Sequence, residues 1–337
     1  LLTTALQLLR WCAHRDEPSG IALPDAGILD RLRRRRIDSI AYMAAGAMSE
    51  PHQRLYGKLW HAQRSILERV IDAFHEYGVP VIVFKGGEFI ARCFDSQPIG
   101  MLFDVDVLIP HDEVEQAKIA MHSAGLRQTV WDTRRRRLLD RYVADIARLE
   151  MAHYELAPFG MELEIETDAE ESEIVARWDQ HPLYFVDGQT RCVVEVDIHH
   201  QVASDIESAP LFGRAVPSAI PNANTLSPAD LVWFTISRFY TEVSLHSKRS
   251  LRDFAYVAAF LSRADVDWDV VIGAANEYGL HSSLFYYLAF LKRVTGVDVP
   301  DRALDALSPM NGTRNRDWGW QLGPLFDFIE PCPVDAP

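Results

Sequence analysis

Residues 79–109, VPVIVFKGGEFIARCFDSQPIGMLFDVDVLI, constrain the fold of this chain more than any other stretch. Val81, Ile82, Val83 and Phe84 are apolar without interruption, the pattern of a strand buried on both faces. The run stops at Lys85-Gly86-Gly87, and GEFIARCF then has the spacing of a short helix. MLFDVDVLI reads as a second strand, and it carries Asp104 and Asp106. A third strand, CVVEVDIHH at 192–200, carries Asp197. Strands and helices that alternate in this way predict a mixed sheet in an α+β core.

Successive side chains of a strand point to opposite faces. Asp104 and Asp106 therefore share a face, while Phe103, Val105, Val107 and Ile109 are expected to enter the core. On the later strand, Val194, Val196 and Ile198 form one face and Glu195, Asp197 and His199 the other. If the two strands are neighbours, three carboxylates converge. Hard oxygen ligands suit Mg2+, with Mn2+ as the alternative. Two such ions about 3.5–4 Å apart can clamp the attacking and leaving oxygens of an in-line displacement, with Asp106 as the expected bridge. Glycine lets the backbone approach phosphate oxygens closely, and a helix that follows presents unpaired N–H groups to an anion. Gly86, Gly87 and Lys85 are thus the candidate phosphate ligands, and metal-dependent phosphoryl transfer from a nucleotide is the chemistry this set suits.

Each piece alone is weak. Asp265-Val-Asp267 and Asp267-Trp-Asp269 also match Asp-x-Asp, but both precede a helical pattern and read as N-caps. A Gly-Gly pair is often only a strand-to-helix turn. The specific signal is the order: strand, Gly-Gly, helix, Asp-x-Asp strand, and later a strand with an acidic polar face.

Around this core, residues 1–78 space their apolar positions at three and four and read as helices, the last closed by Gly78. Residues 79–205 form the expected core, with 127–150 partly helical and MAHYELAPF paired with MELEIET as a hairpin. The arginines at 134–137 read as an exposed helix face. The stretch 206–226 is a linker, 206–310 a helical domain that starts in earnest at Pro228, and 311–337 an irregular tail. Asp112 is expected to cap the helix after the Asp-x-Asp strand. Lys248 and Arg252 fall one turn apart on a helix expected over 248–261 and would present two positive charges on one face to a nucleotide or acceptor.

Taken together, Phe84-Lys85-Gly86, Asp104-Val105-Asp106 and Val196-Asp197-Ile198-His199 resemble the motifs of the nucleotidyltransferase superfamily typified by DNA polymerase β. They resemble most its bacterial branch of nucleotidyltransferase family proteins. The helical stretch from 226, with Arg252-Asp253, is similar to that branch's C-terminal helices, so the likeness spans roughly 75–262. The resemblance implies a small mixed-sheet nucleotidyltransferase core flanked by N-terminal helices and a C-terminal helical bundle. It also implies transfer of a nucleoside monophosphate from an NTP to an acceptor, with release of pyrophosphate. Asp104, Asp106 and Asp197 would be the catalytic metal ligands; Lys85, Gly86, Gly87, Lys248 and Arg252 would bind the nucleotide, and His199 would face the acceptor. The chain departs from the branch in lacking an arginine at 98–101, shortly before Asp104. Arg92, Lys248 and Arg252 are the candidates to replace it.

The formal net charge of −14 argues against a nucleic-acid partner held by a broad basic surface. The acceptor is therefore expected to be a small molecule, peptide or protein. No apolar run approaches the ~20 residues that span a bilayer. The start, Leu1-Leu2, runs into an amphipathic pattern rather than a signal peptide and reads as a trimmed chain. Cys12, Cys93, Cys192 and Cys332 are too few and too scattered for a disulfide framework or a zinc site. A reducing, cytoplasmic setting follows as the expectation. Two rivals remain at this point. One is a DxD glycosyltransferase using a nucleotide sugar, and the other is a non-catalytic, nucleotide-binding or regulatory protein on the same fold.

Overall fold

The structure, a computed structural model, describes residues 2–15, 20–178, 181–203, 206–246 and 250–309. In chain order the N-terminal helices are α1 (Leu2–Ala13), α2 (Ala26–Arg34), α3 (Asp38–Ala44) and the long α4 (Pro51–Glu76). The sheet region follows: β1 (Ile82–Phe84), α5 (Lys85–Cys93), β2 (Asp104–Leu108), α6 (Val114–Ser123), β3 (Arg127–Asp132), β4 (Arg137–Asp140), α7 (Val143–Ala152), β5 (Phe159–Glu164), α8 (Ala169–Trp178), β6 (Leu183–Val186) and β7 (Gln189–His199). Short elements come next: α9 (Ala209–Phe212), β8 (Val216–Pro217) and β9 (Asn224–Thr225). The chain then forms α10 (Pro228–His246), α11 (Arg252–Leu261), α12 (Trp268–Tyr278), α13 (His281–Thr295) and α14 (Asp301–Leu307). The mixed α+β class read from the sequence is the class observed. The tail expected at 311–337 lies outside the described residues.

Two compact units emerge, one of residues 49–227 and the other of residues 1–48 with 228–337. The expected segments 1–78 and 206–310 each straddle these two units. The N-terminal helical segment is split: α1 to α3 join the later helices, while α4 packs against β2, β7, α6 and α8. Its two apolar stripes, through Leu55, Leu59, Ile66, Val70 and Phe74 and through Leu67 and Ile71, are buried. An amphipathic pattern shows that a helix has a partner without showing which. The stretch 206–226 is likewise part of the sheet unit, because β9 pairs with β1 and β8 with β9.

In the sheet unit the strand order is β4-β3-β5-β7-β2-β1-β9-β8, with β6 also paired to β7. The centre is parallel, β2 beside β7, and antiparallel strands flank it, β1 beside β2 and β5 beside β7. Val105, Val107, Val194, Val196 and Ile198 are almost fully buried, as alternation requires. Phe103 is the exception among the residues expected in the core. It precedes β2, is only half-buried, and its ring lies 6.2 Å from that of His181.

Three further expectations are corrected here. Residues 127–150 are partly helical as read, through α7 at 143–152, while 127–140 form the β3–β4 hairpin. The arginines at 134–136 lie in its turn, where the Asp132 carboxylate accepts from the amides of Arg134 and Arg135. Four consecutive arginines hide that turn from a pattern reading. MAHYELAPF does not pair with MELEIET: β5 pairs with β3 and β7, and the preceding segment ends α7 and touches β7 at Glu155. Strand alternation identifies a face and not a neighbour. Asp112 lies in a 3-10 turn, and α6 begins after Glu113 with no side-chain cap.

In the helical unit, α1 packs on α3, α11 and α13, and α10 on α11, α12 and α13. Phe254 stacks on Tyr287 at 4.4 Å between ring centroids, with Phe239 edge-on to both. Asp267 caps α12 through the amides of Asp269 and Val270, the role read from the sequence. α11 starts at Arg252, not at 248: the Leu251 amide donates to Arg35 O at 2.9 Å and Ser250 Oγ accepts from the Arg252 amide. Lys248, expected to share a helix face with Arg252, lies outside the described residues. Among the described residues no helix is long and apolar enough to cross a membrane.

Candidate functional site

The parallel register of β2 and β7 sets Asp106 opposite Asp197 and Asp104 opposite Glu195. Neighbouring strands lie about 4.8 Å apart, so side chains at paired positions share a face and stand side by side. One face of the sheet centre thus carries Asp104, Asp106, Glu195, Asp197 and His199. The sequence placed these residues on polar faces; the pairing of the two strands brings them together.

Two cations or potential cations reach into this acidic face. Lys85 Nζ lies 2.5 Å from Asp106 Oδ1 and 3.3 Å from His199 Nε2. His199 Nε2 is itself 3.1 Å from the same Asp106 oxygen. On its other side, His199 Nδ1 faces Glu155 Oε1 at 3.2 Å, a contact off the hydrogen-bond direction. Glu155 was no site candidate from the sequence. A β-bridge to His199 delivers it, and that long-range pairing leaves no local signal.

Burial and charge move the titrations of these groups apart. Burial disfavours the Asp106 carboxylate, but Lys85 and His199 together outweigh it and hold its carboxyl well below the usual range. Burial, followed by repulsion from Asp104, Asp106 and Glu155, pushes the Asp197 carboxyl well above that range, with Lys85 only partly opposing. Burial, then Asp104, raises Glu195 to about 7. Burial and Lys85 lower His199 despite the facing carboxylates. A face with this much uncompensated acidity favours a bound cation.

The donors present are hard oxygens, the type Mg2+ takes. Among the described residues no three potential ligands already surround one point; at Asp106 the ammonium of Lys85 supplies the positive charge. The chemistry of Asp104, Asp106 and Asp197 fits a divalent ion, provided Lys85 swings away.

Lys85 opens α5 with φ 54, a left-handed conformation, and no side chain caps that helix. Gly86 and Gly87 are buried in its first turn. A Cβ on Gly86 would lie 2.6 Å from Leu102 Cδ1, so a larger residue there needs the Leu102 side chain to shift. Leu102 is buried, and its carbonyl accepts from Gln63 Nε2 at 2.9 Å. Gly86→Ala is expected to lower stability by about 1–3 kcal/mol through overpacking, read as a drop in Tm. An unchanged Tm would show that Leu102 moves aside freely.

Two of the remaining candidates have partners of their own. Arg92 is engaged by Glu88 at 2.5 Å and by Pro217 O at 2.9 Å. Arg252 is buried in the helical unit and packs over the Tyr256 ring. Lys248 lies outside the described residues.

The sheet thus carries paired aspartates on adjacent parallel strands, beside a lysine at a strand-to-helix turn. A family model described as an uncharacterised nucleotidyltransferase matches residues 52–296, well over half of the chain, and the chain belongs to that family. That membership supports nucleotidyl transfer as the general class of chemistry. No curated protein matches the sequence. No solved structure matches either.

Proposed function

We propose that this protein transfers a nucleoside monophosphate from an NTP to a hydroxyl, amine or carboxyl group of a small molecule, peptide or protein, releasing pyrophosphate. The observation that carries this reading is the register of Asp106 against Asp197, with Asp104 on the same face. Asp104, Asp106 and Asp197 would hold Mg2+ or Mn2+, which supplies positive charge to the polyphosphate when bound. Lys85 and the first-turn amides of α5 would bind the β and γ phosphates. The acceptor atom attacks the α-phosphorus, the bond from that phosphorus to the oxygen bridging to the β-phosphorus breaks, and pyrophosphate leaves. Asp197, whose carboxyl is pushed up by burial and its acidic neighbours, is suited to take the acceptor's proton. His199, held between Asp106 and Glu155, would fix the acceptor side of the face. A net charge of −14 supports an acceptor other than nucleic acid.

Calorimetry tests the nucleotide site. NTP titrated into the protein with Mg2+ is expected to bind at least about a hundredfold more tightly than with EDTA, because the acidic face repels a bare triphosphate. Equal affinity in the two conditions would contradict the site.

A further inference from the structure

We infer that Lys85 is a tethered counter-ion that competes with the divalent metal for Asp106, so that metal and triphosphate bind cooperatively and metal alone binds weakly. The inference rests on the metal–nucleotide reading of this site and adds how its two ligands are coupled.

Geometry supports it at three points. First, one oxygen, Asp106 Oδ1, faces both Lys85 Nζ at 2.5 Å and His199 Nε2 at 3.1 Å. A divalent ion arriving at that oxygen meets an ammonium already there. Second, the pair is secluded: the side chains of Lys85 and Asp106 are 20% and 6% exposed, so water screens their attraction poorly. Third, the lysine backbone is anchored. Lys85 follows the buried strand β1, and Gly86 packs against Leu102. Only rotation of the long side chain can then take the ammonium away from Asp106.

A triphosphate gives that ammonium a second partner. Phosphate oxygens accept charge-assisted hydrogen bonds from lysine, and α5 opens at Lys85 itself with its N-terminal partial charge. When Nζ turns to phosphate, Asp106 loses its counter-charge and favours a metal ion. By linkage, a metal on Asp106 releases Lys85 for phosphate to the same extent. Without either ligand, Lys85 offsets part of the charge of the acidic face. A site built this way resists loading by metal alone.

Mn2+ binding to the full chain, followed by the EPR signal of free Mn2+, tests this without any turnover. The probe is Mn2+ alone, then Mn2+ with a non-hydrolysable ATP or GTP analogue. Lys85→Met is expected to bind Mn2+ alone at least about tenfold more tightly than the parent, since a like charge beside the ion is gone. The analogue is expected to tighten Mn2+ in the parent and to do so much less in the variant. Lys85→Arg keeps the charge and is expected to leave Mn2+ binding weak. Lys85→Gln, uncharged but still a donor to Asp106, gives the same comparison should Met disturb folding. Unchanged or weaker Mn2+ binding in the uncharged variants would overturn the inference. Adding Asp106→Asn to Lys85→Met separates this failure from a deeper one. If that second change leaves Mn2+ binding intact, Asp106 is no metal ligand and the site reading itself falls.

Discussion

Asp106→Asn is expected to reduce nucleotidyl transfer by roughly a thousandfold or more in a chain that still folds, because it removes a charge central to the acidic face and changes little in volume. Stability is expected to fall as well, by about 1–3 kcal/mol, since the variant leaves Lys85 beside an amide instead of a carboxylate. The upper range for a broken buried pair does not apply, because Lys85 keeps 20% exposure. Adding Lys85→Met is expected to restore much of the stability and none of the activity. Asp106 titrates below its ordinary range, so its stabilising contribution is present above that range and is lost as pH falls through its lowered value. The Asn variant should accordingly differ from the parent in Tm at neutral pH and converge with it in strong acid. Recovery of both stability and turnover in the double variant would mean that Asp106 serves only to balance Lys85.

Asp197→Asn is expected to carry the opposite stability sign together with a loss of function. Asp197 is opposed by burial and by Asp104, Asp106 and Glu155, and its carboxyl titrates well above the usual range. Between the ordinary value and the raised one, the folded chain holds a proton that the unfolded chain has released. Stability therefore declines as pH rises through that window, and the cost is complete above the raised value. A neutral amide does not bear that cost. We expect Asp197→Asn to raise the Tm of the metal-free protein at pH 8, with the gain fading below the ordinary carboxylate range. Turnover is expected to fall by at least about a hundredfold, since both a metal ligand and the proton acceptor are lost. A variant less stable than the parent at pH 8 would show that Asp197 is held by partners rather than repelled. Near-native turnover would remove it from the catalytic set.

How far the sequence reaches is clearest at β2 and β7. Alternation alone assigns Asp104, Asp106, Glu195, Asp197 and His199 to polar faces, because a buried strand cannot hide carboxylates on its core side. The order of elements then argues for neighbouring strands, and the parallel register of Asp106 with Asp197 shows them adjacent. Lys85 was visible as a charge at a strand-to-helix turn, but its contact with Asp106 depends on the antiparallel pairing of Phe84 with Asp106. The contact of Glu155 with His199 was invisible, since it forms through a bridge between segments distant in sequence. The same limit explains the β3–β4 hairpin, where an arginine run masks the Asp132 turn, and α11, where hydrogen bonds at Ser250 and Leu251 set the first residue. Local patterns report which side of an element is wet. Pairing and helix starts depend on partners elsewhere in the chain.

Pyrophosphate release reports whether this acidic face performs nucleotidyl transfer. The parent and Asp106→Asn would be incubated side by side with each NTP, Mg2+ and pooled candidate acceptors, with nucleotide-sized mass gain scored on the acceptors. Metal-dependent pyrophosphate release and acceptor labelling by the parent are expected, with both lost in the folded variant. Equal release by the parent and the variant, or none by the parent with any NTP and acceptor while it binds metal and nucleotide tightly, would contradict that role for the face.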